Sequence, residues 1–172
     1  MLKVPVHLAN LTGIPSADEM VDMAKTAAQT LFEEEGFVQT VTILYCKDPR
    51  QVAALVCAAD FPNKQTWQEF LRELADRMNP MAVVSSTEVW MVEGPQDSMK
   101  DDVMPSQDPN RVEYVMVTIE NKTGMSAWRA RIDREIPGDE KSKGTLREWE
   151  VMTIQTRGVG TFADHFWSAP QA

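Results

Sequence analysis

The sequence predicts an α+β domain of two layers: a mainly antiparallel sheet of about six strands with two helices on one face, in the order α-β-β-α-β-β-β-β. Three observations lead there. Apolar residues recur at helical spacing over 17–35 and again over 63–79. Around these stretches lie runs rich in Val, Ile, Thr and aromatics, of strand length. Two turn signals, the Asp48-Pro49 dipeptide and the Asn-Lys-Thr-Gly run at 121–124, join consecutive runs as hairpins.

Residues 1–15 form an arm in which Leu2, Val4, Val6 and Leu8 alternate, as in a short edge strand. One lysine, an early proline and no long apolar core predict that this stretch is not a secretory leader. Residues 16–157 read as one domain, since 172 residues fit one core far better than two. Ser16 and Glu19 make a capping box, each side chain serving a backbone N–H that the first helical turn leaves free. Met20, Ala24, Ala27, Ala28, Leu31 and Phe32 give the buried stripe, and Gly36 ends the helix.

The runs 37–46 and 52–59 form a hairpin whose strands carry apolar residues on both faces, the pattern of internal strands covered on each side. Its turn sets Cys57 near Thr40 and away from Cys46, which predicts two free thiols rather than a disulfide. Asn63 caps the second helix, where Trp67, Phe70, Leu71, Leu74, Ala75 and Met78 form a regular stripe that Asn79-Pro80 closes. Long strands at 81–92 and 111–121 follow, separated by an eighteen-residue loop, 93–110. Beyond the turn at 121–124, the run 125–136 alternates Trp128, Ala130 and Ile132 against Arg129, Arg131 and Asp133. A charged loop at 137–144, a last strand at 146–156 and an aromatic tail at 158–172 complete the chain.

Net charge is −9, and it is lopsided: 8 Lys+Arg face 17 Asp+Glu before residue 111, and 9 face 9 from residue 111 onward. An acidic chain without a basic footprint is a poor direct ligand for nucleic acid. No apolar run approaches the ~18 residues of a membrane span. A cytoplasmic location is the expectation. Phosphate loops, dinucleotide fingerprints, zinc-protease and thiol-redox motifs and nucleophile elbows are all missing, and only His7 and His165 are present. No cofactor, metal site or catalytic residue is therefore assigned.

Three features invite a functional reading. Glu88 and Glu113 approach each other across the central strands, with Arg111 and Arg131 near by. A cross-strand salt-bridge ladder explains them more economically than an acid–base pair. The 93–110 loop holds Asp97, Asp101, Asp102 and Asp108 among three prolines, in a spacing that fits no EF-hand. Such a loop is a binding segment, a lid or disordered. The tail sets Phe162, Phe166 and Trp167 after a Gly-Val-Gly hinge, so these aromatics fold back on their own sheet or enter a partner. Asp164-His165 has no nucleophile at a recommending distance in sequence and reads as packing or surface.

The strand 88–93 (Glu-Val-Trp-Met-Val-Glu), a Pro-rich loop and the run 105–113 (Pro-Ser-Gln-Asp-Pro-Asn-Arg-Val-Glu) resemble a loose pattern in small uncharacterised proteins of phages and mobile elements. The resemblance covers about 35 residues, marks Trp90, Arg111 and Glu113, and brings no activity with it. The expectation is a non-enzymatic protein-interaction or assembly module, phage-encoded if the resemblance holds, whose partner is another protein or a second copy. Its binding residues would be Trp90, Arg111, Glu113, Asp101, Asp102, Phe162, Phe166 and Trp167. The alternatives are an acidic inhibitor of a host protein with a basic site, and a small enzyme using Glu88, Glu113 and Arg131.

Overall fold

A computed structural model describes residues 7–9, 13–47, 53–93 and 107–152. Helix α1 (Ala17–Glu35) begins with the predicted capping box: the Ser16 N–H donates to Glu19 Oε2 at 2.7 Å, and the Glu19 N–H donates to Ser16 Oγ at 3.2 Å. It ends at Gly36, whose φ of 80° permits its N–H to reach the Phe32 carbonyl at 2.8 Å. Met20, Val21, Ala24, Ala28 and Phe32 are the buried side. Leu31 lies beside that stripe rather than in it, at 38% exposure.

Strands β1 (His7–Ala9), β2 (Val41–Tyr45) and β3 (Ala53–Cys57) follow the order β1-β3-β2 in the sheet. Cys57 pairs opposite Val41 and neither cysteine is in a disulfide, Cys46 being buried and Cys57 half-buried. A short 3-10 turn (Ala58–Asp60) leads to α2 (Lys64–Met78). Asn63 Oδ1 accepts from the Thr66 N–H at 2.9 Å, and Asn79 takes the left-handed closing position at φ 45°. Three eleven-residue strands form the body of the sheet: β4 (Ala82–Val92), β5 (Arg111–Asn121) and β6 (Gly124–Arg134). All pairings are antiparallel. The α+β class is that predicted from sequence and the order of the elements largely matches it, with β1 added before α1 and eight strands in the sheet in place of about six.

The layering differs from the expected one. Ile43, Tyr45, Ala82 and Val84 pack with α1, whereas their chain neighbours Leu44 and Val83 pack with α2. Successive strand residues point to opposite faces, so the helices sit on opposite sides of the sheet and not on one. The physical reason lies in β2 and β3: strands apolar on both faces need a cover on each. Helix α1 spans β2 to β6, reaching Val117, Val115 and Ile132. Helix α2 covers only β3, β2 and the start of β4, over Leu44, Ala54, Val56 and Val83.

The last strand is two short ones, β7 (Gly144–Leu146) and β8 (Glu150–Met152), both on the outer edge of β6. Their registers differ by one residue, the signature of a bulge at 147–149. It turns Trp149 into the core, where it touches both clusters under α1. The charged 137–144 stretch is a turn held by Ser142, whose Oγ donates to the Asp139 carbonyl at 2.8 Å.

Gly144 sits against that core. A Cβ added there would stand 3.0 Å from Phe32 Cζ and 3.2 Å from both Arg134 Cδ and Ile132 Cγ2. Gly144→Ala should destabilise the fold by about 1–3 kcal/mol through overpacking. Chemical denaturation checks this, and an unchanged midpoint would mean that β7 yields more easily than its neighbours imply.

Candidate functional site

The sequence-marked residues Trp90, Arg111 and Glu113 do meet. Strands β5 and β6 pair only as far as Tyr114 opposite Arg131; beyond it, β6 turns to β7. The gap left between them is a cleft of about 290 Å³ that all three residues line. The Arg111 guanidinium lies over the Trp90 ring, 4.8 Å from its centroid. Glu113, however, pairs with Arg134, not with Arg111 or Arg131. Arg134 Nε and Nη2 donate to its two oxygens at 2.9 and 2.7 Å, and the side chains are 4% and 6% exposed.

Arg134 has further duties. Its Nη1 donates to the Gly36 carbonyl at 2.8 Å and to the Ser142 carbonyl at 3.1 Å, and its guanidinium lies 5.2 Å from the centre of the Phe32 ring. One buried cation thus ties the end of α1, the 135–143 turn and the sheet together. Glu88 belongs to the same face and accepts from the Val38 N–H at 2.6 Å. Burial pushes its carboxyl above the ordinary range; Glu113 adds to the rise, while the Val38 bond and Arg134 oppose it. Arg131 turns instead to Asp133, at 3.2 Å. The set proposed for acid–base chemistry is therefore divided: Glu113 is occupied by Arg134, and Arg131 has its own carboxylate. Among the described residues, no group of His, Cys, Asp and Glu is placed to hold a metal ion.

Because the folded-state pKa of Glu88 is raised, ionising it costs stability. The sign follows: its contribution is intact below the ordinary carboxylate pKa and lost as pH rises through the folded value. Glu88→Gln, which can still accept from Val38, should be more stable than the parent at neutral pH. That advantage should vanish once pH falls below the ordinary carboxylate range. Urea midpoints at pH 7 and pH 4 test this, and an equal difference at both would contradict it.

A larger concavity, about 600 Å³, opens on the α2 side of the sheet. It arises because α2 ends its cover at β4. The N-terminal part of α2 contributes Asn63, Lys64 and Trp67; the sheet contributes Ser85, Thr87, Val89, Met116, Thr118 and Met125. At its inner edge the sheet turns polar: Thr40 and Thr87 hydroxyls lie 2.7 Å apart, and Thr42 and Ser85 hydroxyls 3.0 Å apart. These pairs satisfy one another, and Thr42 is fully buried. The buried Trp67 Nε1 has no hydrogen-bond partner among the described residues.

Register places four methionines on this face. Met91 follows Val83 at even spacing on β4, and Met116 lies on the matching face of β5. Met125 and Met152 take the same side of β6 and β8, through Glu120 and Ala127. All four are half-buried. At the far end is a polar cluster: the Arg129 guanidinium stands 4.6 Å from the centre of the Tyr114 ring, 3.3 Å from Glu150 and 3.8 Å from Glu93. The Tyr114 hydroxyl donates to Glu93. Along β5 the methionines alternate with polar groups: Met116 stands opposite Thr87 and Arg129, and the buried Glu120 opposite Met125, so the face mixes adaptable apolar side chains with polar ones.

This chain matches no protein-family model, no curated protein and no solved structure. Its own geometry must carry the reading. Asp101, Asp102, Phe162, Phe166 and Trp167 lie outside the described residues. Among the described residues, no helix is long and apolar enough to cross a membrane. The methionine strip was missed from sequence. Eleven methionines were countable, but the shared face of these four depends on the β4–β5 register, which the sequence between Val92 and Arg111 does not reveal.

Proposed function

We propose that this chain is a non-enzymatic protein-interaction module that receives an apolar segment of a protein partner on the α2 side of its sheet. The observation supporting this is the uncovered stretch of β4, β5 and β6, where Val89, Met116 and Met125 line a groove together with the hydroxyls of Ser85, Thr87 and Thr118 and with Glu88 and Glu120. Methionine's unbranched, polarizable side chain lets one surface fit different apolar partners. The flanking hydroxyls offer hydrogen bonds to the segment's backbone. The buried Glu113–Arg134 pair serves the fold, and the Trp90–Arg111 stack forms a secondary surface on the opposite face of the sheet.

Panning a random peptide library on the purified chain tests this. Peptides carrying aromatic or long aliphatic residues should be enriched, and the enrichment should disappear on Met116→Lys. Their binding should change little between 50 and 500 mM salt, since apolar contact supplies it. No enrichment, or enrichment indifferent to Met116, would overturn the reading. Binding that collapses with salt would favour instead an acidic surface occupying a basic site, the alternative that the −9 net charge supports.

A further inference from the structure

Independently of the groove, we infer that the cleft between β5 and β6 binds a small phosphomonoester, whose charged end Arg111 receives and whose organic part the apolar walls hold. The cleft exists because the two strands stop pairing beyond Tyr114 and Arg131. Its volume, about 290 Å³, lies at the lower end of small-ligand pockets, about 300–1,000 Å³. That suits a small molecule better than a length of chain. Val112, Ile132 and Pro137 supply apolar walls. Arg111, Arg131 and Arg134 line it against two carboxylates, Glu113 and Asp133.

Both carboxylates are already engaged. Arg134 holds the two oxygens of Glu113. Asp133 answers two guanidinium groups, Arg131 at 3.2 Å and Arg147 at 2.5 Å. Arg111 has no carboxylate partner among the described residues; Asp108, three positions earlier, accepts instead from the Asn110 N–H at 2.8 Å. Four guanidinium groups therefore stand against two carboxylates, a local surplus of two in a chain of net charge −9. Glu88, on the same face as Trp90, is engaged by the Val38 N–H. The field of Glu140, exposed on the 135–143 turn, also reaches Arg134, and Lys141 and Lys143 share that turn. Carboxylates beyond about 8 Å, the Debye length at physiological ionic strength, are largely screened, so the overall charge does not set the local one. A surplus of two matches a phosphomonoester, about −1.5 to −2 at pH 7, better than a monocarboxylate. Arg111 is also prepared for it. Its N–H donates to the Asp108 carbonyl at 3.1 Å, and its guanidinium rests 4.8 Å from the centre of the Trp90 ring. Stacking uses the flat face of a guanidinium and leaves its in-plane N–H donors for a bidentate oxyanion contact.

Titration calorimetry of the full-length chain with phenyl phosphate tests this. Saturable binding is expected at pH 7.5, and it should weaken at pH 5, where the ligand, with a second pKa of about 6, has lost one of its charges. Benzoate, a monoanion with the same ring, should bind about tenfold more weakly at pH 7.5. Arg111→Lys keeps the charge but loses the planar fork, and should weaken phenyl phosphate by about tenfold. Met116→Lys, on the other face of the sheet, should leave it unchanged. In nitrogen-labelled protein the Trp90 indole resonance should move during the titration while that of Trp67, on the α2 side, stays in place. No saturation at millimolar ligand would overturn the inference. So would undiminished binding by Arg111→Lys, benzoate bound as tightly as phenyl phosphate, or movement of Trp67 in place of Trp90. The groove reading is judged separately, since its probe is a peptide and its diagnostic residue is Met116.

Discussion

Arg134→Ala will cost the fold about 3–5 kcal/mol, the range for removing one partner of a buried ion pair. For a chain of this length that lowers the melting temperature by about 10 °C. The loss does not come from the strength of the pair itself. Bringing Arg134 and Glu113 out of water is costly, and their bidentate contact at 2.7 and 2.9 Å offsets that cost without a large surplus. Removing the cation leaves Glu113 buried with its charge uncompensated, and also orphans the carbonyls of Gly36 and Ser142. The paired replacement Glu113→Leu with Arg134→Met removes both charges and should recover much of the loss. Urea denaturation of the single and double variants checks both results. A double variant as unstable as Arg134→Ala would show that the carbonyl bonds, rather than the stranded carboxylate, dominate.

The second large effect falls on binding. Met116→Lys should weaken any groove-bound peptide by about thirtyfold or more, the hot-spot scale of 2 kcal/mol and above. Met116 lies in mid-strand on β5, opposite Thr87 on one side and Arg129 on the other, and lines the groove. A lysine there would keep its ammonium in water only by lying across the strip that a partner needs. Because Met116 is half-buried on an edge of the core and not within it, the melting temperature should shift by only a few degrees. Titration calorimetry paired with thermal unfolding separates the two consequences. Loss of binding together with loss of folding would reduce the result to a stability effect.

What was readable in the sequence was local. The Ser16–Glu19 capping box, the Asn63 cap and the Trp67–Met78 stripe are set by neighbours three or four residues away, and the structure holds them as expected. The 121–124 turn fixed the β5–β6 register, with Trp128, Ala130 and Ile132 on the core side. The layering was less accessible, although the two-sided apolar strands β2 and β3 already required a helix on each face. Glu113 found Arg134 instead of Arg111 or Arg131 because β5 and β6 part after Tyr114. Alternation along a strand says nothing about where two strands separate. The bulge that divides β7 from β8 was hidden for the same reason: a one-residue slip leaves the composition of the run unchanged.

The groove depended on yet longer-range information. Met91 and Met116 are 25 positions apart in sequence, and only the pairing of Val89 with Tyr114 and of Met91 with Val112 puts them on one surface. The cover provided by α2 stops short because its stripe is matched to β2, β3 and the first residues of β4. Beyond that line the sheet exchanges aliphatic residues for Ser85, Thr87 and Thr118, which tolerate exposure.

Methyl spectra of methionine-labelled protein, recorded while the most enriched library peptide is added, test the central claim most directly. The account predicts that the Met116, Met125 and Met91 resonances shift together and saturate with the peptide, while Met23, 45% exposed on α1 across the sheet, stays in place. Movement of Met23 with Met116 and Met125 unmoved would put the binding surface on the other side of the molecule and contradict it.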